Sequence, residues 1–263
     1  MERRTFESLG GECELFALGV DADALVAAEA WIRRMHDRFT RFDPNSEVSR
    51  LNDSRGRWFA VSAELETLLG ESLRAFEISD GLVNVAVLPA LLAAGYTRDF
   101  SAGPTAATAA PTIRPLHDVL QLRPGEARLH GGGIDLGGIA KGWLADRVAE
   151  RLGENVLVNL CGDLYARGGG ETGEGWPVGF GEKTLLLKDL GAATSGTTKR
   201  SWEGGHHLID PRTGLPARSD LSEVSVLAST ATDAEIFAKV ALLLGSREAP
   251  RWLEPRSPGW SLA

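Results

Sequence analysis

Residues 131–151, GGGIDLGGIAKGWLADRVAER, form the stretch from which the rest of the chain can be interpreted. The run at 134–136 predicts the end of a strand, and the two glycines that follow it predict a tight turn. From Ile139 onward, apolar residues recur at helical spacing, which predicts an amphipathic helix. A junction of this kind presents backbone N–H groups at the positive end of a helix, where phosphate is favoured. Lys141 adds a full positive charge in the first turn.

The glycine turn is also compatible with a purely structural role, because such turns occur without any ligand. The stretch matches neither the dinucleotide-binding GxGxxG pattern nor a Walker loop. Taken alone, it indicates a candidate phosphate site and leaves the structural interpretation open.

The composition is that of a soluble globular chain. Of its 263 residues, 43% are hydrophobic and 24% are charged, which is enough apolar material for a substantial core. The formal net charge of −8 argues against a nucleic-acid surface. No apolar run approaches the length of a membrane span, and the N-terminal residues lack the apolar region of a secretory signal. A cytoplasmic location is therefore predicted.

The two cysteines, Cys13 and Cys161, are far apart in the sequence and lack CxxC spacing. This pattern predicts neither a disulfide framework nor a zinc site. The chain also contains no GxSxG elbow and no HExxH motif, so serine-hydrolase and zinc-hydrolase functions have little support.

The hydrophobic patterns predict helices set between pairs of antiparallel strands. Amphipathic spacing predicts helices at 22–39, 64–79 and 232–244, and Ser46 is positioned to start a short helical turn. A buried strand is predicted to begin at residue 82. Further strands are predicted at 5–20, 119–122, 127–129, 155–168, 176–180, 184–190 and 223–227. This arrangement favours the α+β class over a doubly wound sheet.

The densest polar chemistry lies at 206–216, HHLIDPRTGLP. Asp210 and the proline after it predict a turn, and His207 lies on the strand that leads into this turn. A histidine near a phosphate can act as a base toward an incoming hydroxyl. The alternative is that His207 is a core histidine bonded to backbone groups. Asn84 likewise has a structural and a functional interpretation: it is either a core amide with satisfied hydrogen bonds or a ligand contact.

Six segments of the chain resemble, in order, the motifs of the ApbE-type FAD:protein FMN transferase (flavin transferase) family. They are SEVSRLN (46–52), SDGLVNV (79–85), IDLGGIAKGWLAD (134–146), VNLCGD (158–163), ATSG (193–196) and HLIDPRTGLP (207–216). The resemblance implies an α+β, ApbE-like (T-fold-like) fold with antiparallel sheets and packed helices, in a single flavin transferase domain over residues 1–263. It also implies FAD as substrate, with FMN moved onto a Thr or Ser hydroxyl of an acceptor protein and AMP released.

The resemblance also assigns roles to individual residues. His207 matches the family's histidine that assists the attacking hydroxyl, and Phe42 falls near a position that stacks the adenine. The family usually has aspartate where this chain has Asn84. The positions matched to FAD contacts are Leu9, Phe42, Leu82, Val83, Asn84, Asp135, Lys141, Thr194 and Ile209.

The chain departs from the family at the magnesium site. The family's last helix usually carries ADxxxT, and the matching run here has Glu235 for the aspartate and Lys239 for the threonine. A protonated lysine cannot ligate a divalent ion. The positions matched to the metal site are Gly138, through its carbonyl, Glu235, Ala238 and Lys239.

These departures leave several functions open. In one, Lys239 takes the place of the ion against the pyrophosphate, and transfer or FAD hydrolysis persists with little need for Mg²⁺. In another, the protein binds FAD without transfer, as a flavin-binding or regulatory module. A structural or protein-interaction domain without any nucleotide also stays open, because a fold does not fix a function.

Overall fold

The computed structural model describes residues 1–181, 183–198, 201–202 and 205–263. Helices are combined with antiparallel strand pairs, so the predicted α+β class is confirmed. The chain forms two compact units: unit one comprises residues 1–36, 139–195 and 223–263, and unit two comprises residues 37–138 and 196–222. Within the described part of the chain, no helix is long and apolar enough to cross a membrane.

The helices are α1 (Ala22–Phe39), α2 (Glu47–Asn52), α3 (Ala63–Ile78), α4 (Leu88–Ala93), α5 (Leu116–Val119), α6 (Ala140–Leu152) and α7 (Ala231–Leu253). The first eight strands are β1 (Glu2–Ser8), β2 (Gly11–Ala17), β3 (Phe59–Ala60), β4 (Leu120–Arg123), β5 (Glu126–Leu129), β6 (Val156–Leu160), β7 (Asp163–Arg167) and β8 (Trp176–Phe180). The others are β9 (Lys183–Leu187), β10 (Leu190–Gly196), β11 (Ser201–Trp202), β12 (Gly205–His206), β13 (Ile209–Asp210), β14 (Leu215–Pro216), β15 (Glu223–Ala228) and β16 (Gly259–Leu262).

Unit one is built on a seven-stranded sheet with the order β1-β2-β6-β7-β10-β15-β16. Strands β1, β2, β6 and β7 pair in antiparallel fashion with their neighbours in that order. Helix α6 packs against β6, β7 and α7. Its apolar stripe, which includes Leu144, Val148 and Leu152, is buried, as the spacing after Ile139 predicts.

Unit two contains the small sheet β3-β5-β4 and two short hairpins, β11-β12 and β13-β14. Ser62 caps α3 by accepting a hydrogen bond from the backbone N–H of Leu65. Ser46 caps α2 in the same way, as predicted, through the N–H of Ser49. These caps fix where the two helices begin, and the predicted helix at 64–79 differs from α3 by one residue at each end.

The predicted strand end at 134–136 is wrong. The Asn52 side chain makes the hydrogen bonds that a neighbouring strand would otherwise make. Its Oδ1 accepts from Ile134 N at 2.8 Å, and its Nδ2 donates to Ile134 O at 3.0 Å. The next amide, that of Asp135, donates to Val85 O at 2.8 Å. Because these partners satisfy the peptide groups, the segment does not need to join a sheet.

The predicted strand beginning at residue 82 is also wrong. Asn84 accepts a hydrogen bond from the N–H of Ala86 and starts a 3₁₀ turn, Val85–Val87, that leads directly into α4. Pro89 lies in the first turn of α4, where its missing N–H costs nothing. Apolar content alone could not separate a buried strand from a buried helix here.

Three further elements differ from prediction. The strand predicted at 155–168 is the hairpin β6-β7, which turns at Cys161 and Gly162. The helical backbone of α7 is interrupted at Gly245, where φ is +76°, as the predicted helix end requires, but a second helical segment that was not predicted continues to Leu253. Strand β16 pairs with β15 and was not predicted.

Candidate functional site

The first turns of α6 and α7 lie in close contact within unit one. A Cβ atom on Gly142 would lie 2.5 Å from the carbonyl oxygen of Ala231 and 2.9 Å from the Cα of Thr232. Both are backbone atoms that cannot move aside. The glycine of the AKGWLAD segment is therefore required by helix packing, independently of any ligand.

Each of these two helices supplies the carboxylate that caps the other. Glu235 of α7 accepts from the N–H of Gly142 at 2.8 Å. Asp146 of α6 accepts from the N–H groups of Ala231 and Thr232 at 2.8 and 2.9 Å, and from the Thr232 hydroxyl at 2.6 Å. Both carboxylates lie at positive helix ends, which stabilises their charge. Burial nevertheless raises the pKa of Asp146, against the lowering effect of these hydrogen bonds.

Lys141 lies between two buried acids. Its Nζ donates to Asp163 Oδ2 and lies 3.7 Å from Glu235 Oε1. The side chain of Asp163 is 2% exposed and that of Lys141 is 18% exposed. Two carboxylates therefore already face the positive charge that Lys141 adds to the first turn of α6. We call Lys141, Asp146, Asp163 and Glu235 the carboxylate cluster.

Sequence reasoning missed Asp163 as a member of this group, although the residue ends the VNLCGD segment. Its position as the first residue of β7, directly after the hairpin turn, places it beside α6, which packs on the same strand. A signal was present in the sequence, because a carboxylate inside an otherwise apolar hairpin needs a partner.

The other positions matched to the metal site flank this cluster in the sequence. Gly138 directly precedes Ile139, the N-terminal cap residue of α6. Ala238 is fully buried on α7, and Lys239, the next residue, is half-buried. Among the residues that the structure describes, no group of three or more His, Cys, Asp or Glu side chains could hold a metal ion.

Two more of the residues predicted to contact FAD belong to unit one. Leu9 lies in the turn between β1 and β2 with a φ of +57°. Thr194 is in β10, and its hydroxyl lies 2.8 Å from the hydroxyl of Ser225 on β15. Neither is in the carboxylate cluster, and both stay predictions as FAD contacts.

In unit two, Asp135 is held by an arginine that sequence reasoning missed. Arg41 Nε donates to Asp135 Oδ2 at 2.6 Å, and its Nη2 donates to the carbonyl of Tyr96 at 2.7 Å. The other carboxylate oxygen of Asp135 accepts from the N–H of Gly137 at 2.8 Å. The side chain of Arg41 is 5% exposed. A buried arginine with this many fixed partners orients the carboxylate rigidly.

The guanidinium of Arg41 also contacts two aromatic rings, whose centroids are 5.6 Å apart. Its Cζ is 4.2 Å from the ring centroid of Phe42 and 4.6 Å from that of Tyr96. Phe42 is 37% exposed, and the Tyr96 ring lies 5.8 Å from that of Trp202. We call Arg41, Phe42, Tyr96 and Asp135 the arginine clamp. Its exposed member can still stack on a planar ligand.

The other residues of unit two that were predicted to contact FAD are mostly buried. Asn84 donates to the carbonyl of Arg114 at 2.9 Å and accepts from Ala86, which matches the interpretation as a satisfied core amide. Val83 is 3% exposed, and Leu82 is half-buried. Ile209 packs in an apolar cluster that includes Tyr96, so its side chain belongs to the core of this unit.

Two adjacent histidines precede the β13-β14 hairpin, and both are half-buried. Both ring nitrogens of His206 are fixed: Nε2 lies 2.9 Å from the carbonyl of Ala217, and Nδ1 accepts from the N–H of Leu208 at 3.2 Å. Because a carbonyl can only accept and an N–H can only donate, His206 carries its proton on Nε2. His206 is therefore a backbone-bonded histidine, and His207, the next residue, lies between β12 and β13.

The loop that follows His207 is rigid. The carboxylate of Asp210 accepts from the N–H of Arg212 and pairs with its guanidinium, with the closest contact at 2.8 Å. The carbonyl of Asp210 accepts from Gly214 N at 2.8 Å. Gly214 has a φ of +70°, and a Cβ there would lie 2.2 Å from Pro111 O. Asp210 and Gly214 of the DPRTG segment thus each meet a specific backbone requirement of the loop.

Comparison with known proteins gives a consistent result. The model of the ApbE family matches residues 9–261. The FAD:protein FMN transferase of Klebsiella pneumoniae is 29% identical over 237 residues, which cover 81% of this chain and 73% of that protein. The FAD:protein FMN transferase of Treponema pallidum is 35% identical over 137 residues, which cover 43% of this chain and only 38% of that protein. The crystal structure of the ApbE protein of Thermotoga maritima is 23% identical with a TM-score of 0.85, covering 96% of this chain and 90% of that one.

Proposed function

We propose that this chain, which belongs to the ApbE family, is an FAD:protein FMN transferase acting as a single flavin transferase domain over residues 1–263. Its substrates are FAD and an acceptor protein with a Thr or Ser hydroxyl. Support comes from the relatives that carry this name and from the family model that spans nearly the whole chain. The net charge of −8 supports a protein acceptor over a nucleic-acid partner.

One observation carries the proposal: His207, at the matched catalytic position, is half-exposed at the start of a rigid loop. Its neighbour His206 has both ring nitrogens bonded to backbone groups, which fixes that ring in a structural role. In the proposed reaction the acceptor oxygen bonds to the FMN phosphorus, the P–O bond to AMP breaks, and AMP leaves. His207 takes the proton of the attacking hydroxyl.

The protein's other contribution is to align and neutralise the pyrophosphate, as phosphoryl transfer requires. The N–H groups that open α6 are suited to phosphate, although Glu235 already occupies that of Gly142. Lys141 shares its charge with Asp163 and Glu235. We therefore assign Phe42 and Asp135 to holding FAD by stacking and hydrogen bonding, and Lys141 to fixing the start of α6.

The side chains at the four positions matched to magnesium do not fit the ion. One oxygen of Glu235 accepts from Gly142, and the other faces the ammonium of Lys141. Lys239 carries no lone pair while protonated, and Ala238 and Gly138 offer backbone carbonyls alone. We propose that Lys239 supplies positive charge in place of the ion, so that activity depends weakly on Mg²⁺.

The test is to incubate the protein with FAD and an unfractionated host extract as the source of acceptors, with Mg²⁺ or with EDTA. AMP is quantified, and covalent flavin is read by in-gel fluorescence after denaturation. We expect AMP and a labelled protein under both conditions, both falling by about 10²- to 10⁴-fold in His207→Ala. His117→Ala is the matched control, because this histidine is exposed in α5.

Glu235 and Lys239 replace the aspartate and threonine that the family usually has at the metal site. This replacement specifically favours a second candidate function, that of an FAD-binding relative without transferase activity. Retained FAD with no AMP under either condition would support this candidate and contradict the transferase proposal. AMP with free FMN and no labelled protein would instead indicate an FAD pyrophosphatase. A protein that retains no FAD would contradict all three functions.

A further inference from the structure

The two cysteines of the chain, 148 residues apart in sequence, are in contact within unit one. The sulfur of Cys13 in β2 lies 3.9 Å from the sulfur of Cys161, which follows β6. The pairing of β2 with β6 brings them together, since Cys13 is opposite Leu160 and the N–H of Cys161 donates to Glu12 O at 3.1 Å. The sequence, with its wide spacing, gives no sign of this contact.

The backbone at Cys161 does not favour a cysteine. Cys161 and Gly162 have φ values of +59° and +97° and join two paired strands, as in a type I′ turn. Asn, Asp or Gly is preferred at the first of these positions, because a larger side chain is disfavoured where φ is positive. The Cys161 thiol lies against Gly11, since a Cβ on Gly11 would be in van der Waals contact with its sulfur at 3.4 Å.

The two thiols also differ in accessibility. Cys13 is fully buried, whereas Cys161 is partly exposed. Both sulfurs lie within hydrogen-bond distance of the same carbonyl, that of Ser8, at 3.6 and 3.4 Å. The hydrogen bond with Cys161, together with burial, raises the pKa of the Cys13 thiol. Cys161 is therefore the sulfur that an oxidant reaches first, and Cys13 is placed to react second.

We propose that Cys13 and Cys161 form a redox modification site that closes to an intramolecular disulfide when a peroxide oxidises Cys161. The Cys161 thiolate attacks one peroxide oxygen, the O–O bond breaks, and the released hydroxide takes up the thiol proton to become water. The sulfur of Cys13 then attacks the sulfenic acid, an S–S bond forms, and the second water leaves with the Cys13 proton. Two thiols are oxidised by two electrons, and one peroxide is reduced to two waters.

Closing the bond requires the two sulfurs to approach further. A disulfide is about 2.0 Å long, so the sulfurs must move about 2 Å closer than their present distance of 3.9 Å. The bond would fasten β2 to the turn after β6. This inference does not rest on the proposed function, and its test is read without any turnover of FAD.

The experiment treats the reduced full-length protein with a small excess of hydrogen peroxide and then alkylates it under denaturing conditions. We expect the intact mass to fall by two hydrogens and the alkylated thiols to fall from two to none. Peptide mapping without reduction should show one peptide linking Cys13 to Cys161, which dithiothreitol separates. A mass that rises by oxygen atoms while Cys13 stays alkylatable, or a link found only in dimers, would overturn the proposal.

Two variants separate the pair from its single thiols. In Cys13→Ala, Cys161 has no partner thiol, so its sulfenic acid should accumulate and react with dimedone, which the wild-type protein should hardly do. Cys161→Gly suits the positive φ and should leave Cys13 unoxidised at the same peroxide dose. Equal dimedone labelling of wild type and Cys13→Ala would contradict the proposal, and oxidation of Cys13 in Cys161→Gly would contradict the assigned order.

Discussion

The carboxylate cluster of unit one and the arginine clamp of unit two satisfy their charges in different ways. In the cluster, each buried carboxylate bonds to the backbone of a facing helix or to Lys141. In the clamp, one cation is shared between the carboxylate of Asp135 and two aromatic rings, and the ring of Phe42 stays exposed.

Because of this difference, substitutions in the cluster and substitutions in the clamp should affect different properties, stability and ligand binding respectively. The cluster joins α6 to α7 and to β7, so a change in it should act first on folding. The clamp leaves part of one aromatic ring open to solvent, so a change at this exposed member should act on ligand binding and leave folding nearly unchanged. Each of the following predictions tests this separation.

The largest effect is expected for Lys141→Met. Removing the ammonium leaves the buried carboxylates of Asp163 and Glu235 without their cation, which should lower the free energy of unfolding by about 3–5 kcal/mol. Urea denaturation of both proteins measures this. Arg147→Met is the matched control on the same helix, because its pair with Glu150 is exposed and should contribute less than about 1 kcal/mol.

The double variant Lys141→Met/Asp163→Asn sharpens the interpretation. If the loss arises from an unpaired buried charge, neutralising Asp163 should recover part of it. If Asp163→Asn lowers the free energy of unfolding as much in Lys141→Met as it does in the wild-type protein, the two residues do not interact.

The next effect is expected for Gly142→Ala. The added Cβ would meet the backbone of Ala231 at 2.5 Å, so the variant should lose about 1–3 kcal/mol of unfolding free energy, despite the better helix propensity of alanine. Gly70→Ala in α3 is the matched control, since no described atom lies within 4 Å of its Cβ position. It should gain about 0.5–1 kcal/mol. Equal and favourable effects at both glycines would mean that α6 and α7 are not in close contact.

The limits of the sequence are seen at particular residues. The periodicity after Ile139 predicts α6 because helical spacing is a local property. The position of Glu235 on α7 also follows from the sequence, but its partner, the N–H of Gly142, is 93 residues away and depends on helix packing. The 134–136 segment was predicted wrongly for a related reason: the side chain of Asn52, rather than a strand, satisfies its backbone.

The residues of the candidate site were likewise predicted only in part. Motifs identify His207, Asp135 and Lys141 because each lies in a short run with distinctive neighbours. Arg41 was missed, although it directly precedes Phe42, because a lone arginine has no pattern until its partners are known. Residues that position others are therefore found only once the chain is folded.

A smaller effect, on binding alone, is expected for Phe42→Leu. If the exposed ring stacks on FAD as proposed, its loss should raise the KM for FAD about 3- to 10-fold, the worth of one aromatic pair. Phe100→Leu is the matched control, because Phe100 is 38% exposed against 37% for Phe42. Thermal unfolding should be nearly unchanged in both. A KM within about twofold of wild type in Phe42→Leu would remove the ring from the binding surface.

The smallest effect is a pH dependence in the carboxylate cluster. Burial raises the pKa of Asp146 above its ordinary value of 3.8, so between these two values the folded protein holds a proton that the unfolded chain has lost. The contribution of Asp146 to the free energy of unfolding should therefore fall as the pH rises through this window, by about 1.4 kcal/mol for each pH unit that separates the folded from the unfolded pKa. Asp146→Asn cannot titrate, so wild type should lose stability relative to this variant over the same range, as urea denaturation at a series of pH values would measure. A relative gain by wild type would mean that the three hydrogen bonds from Ala231 and Thr232 outweigh burial and that the carboxylate is stabilised in its charged form.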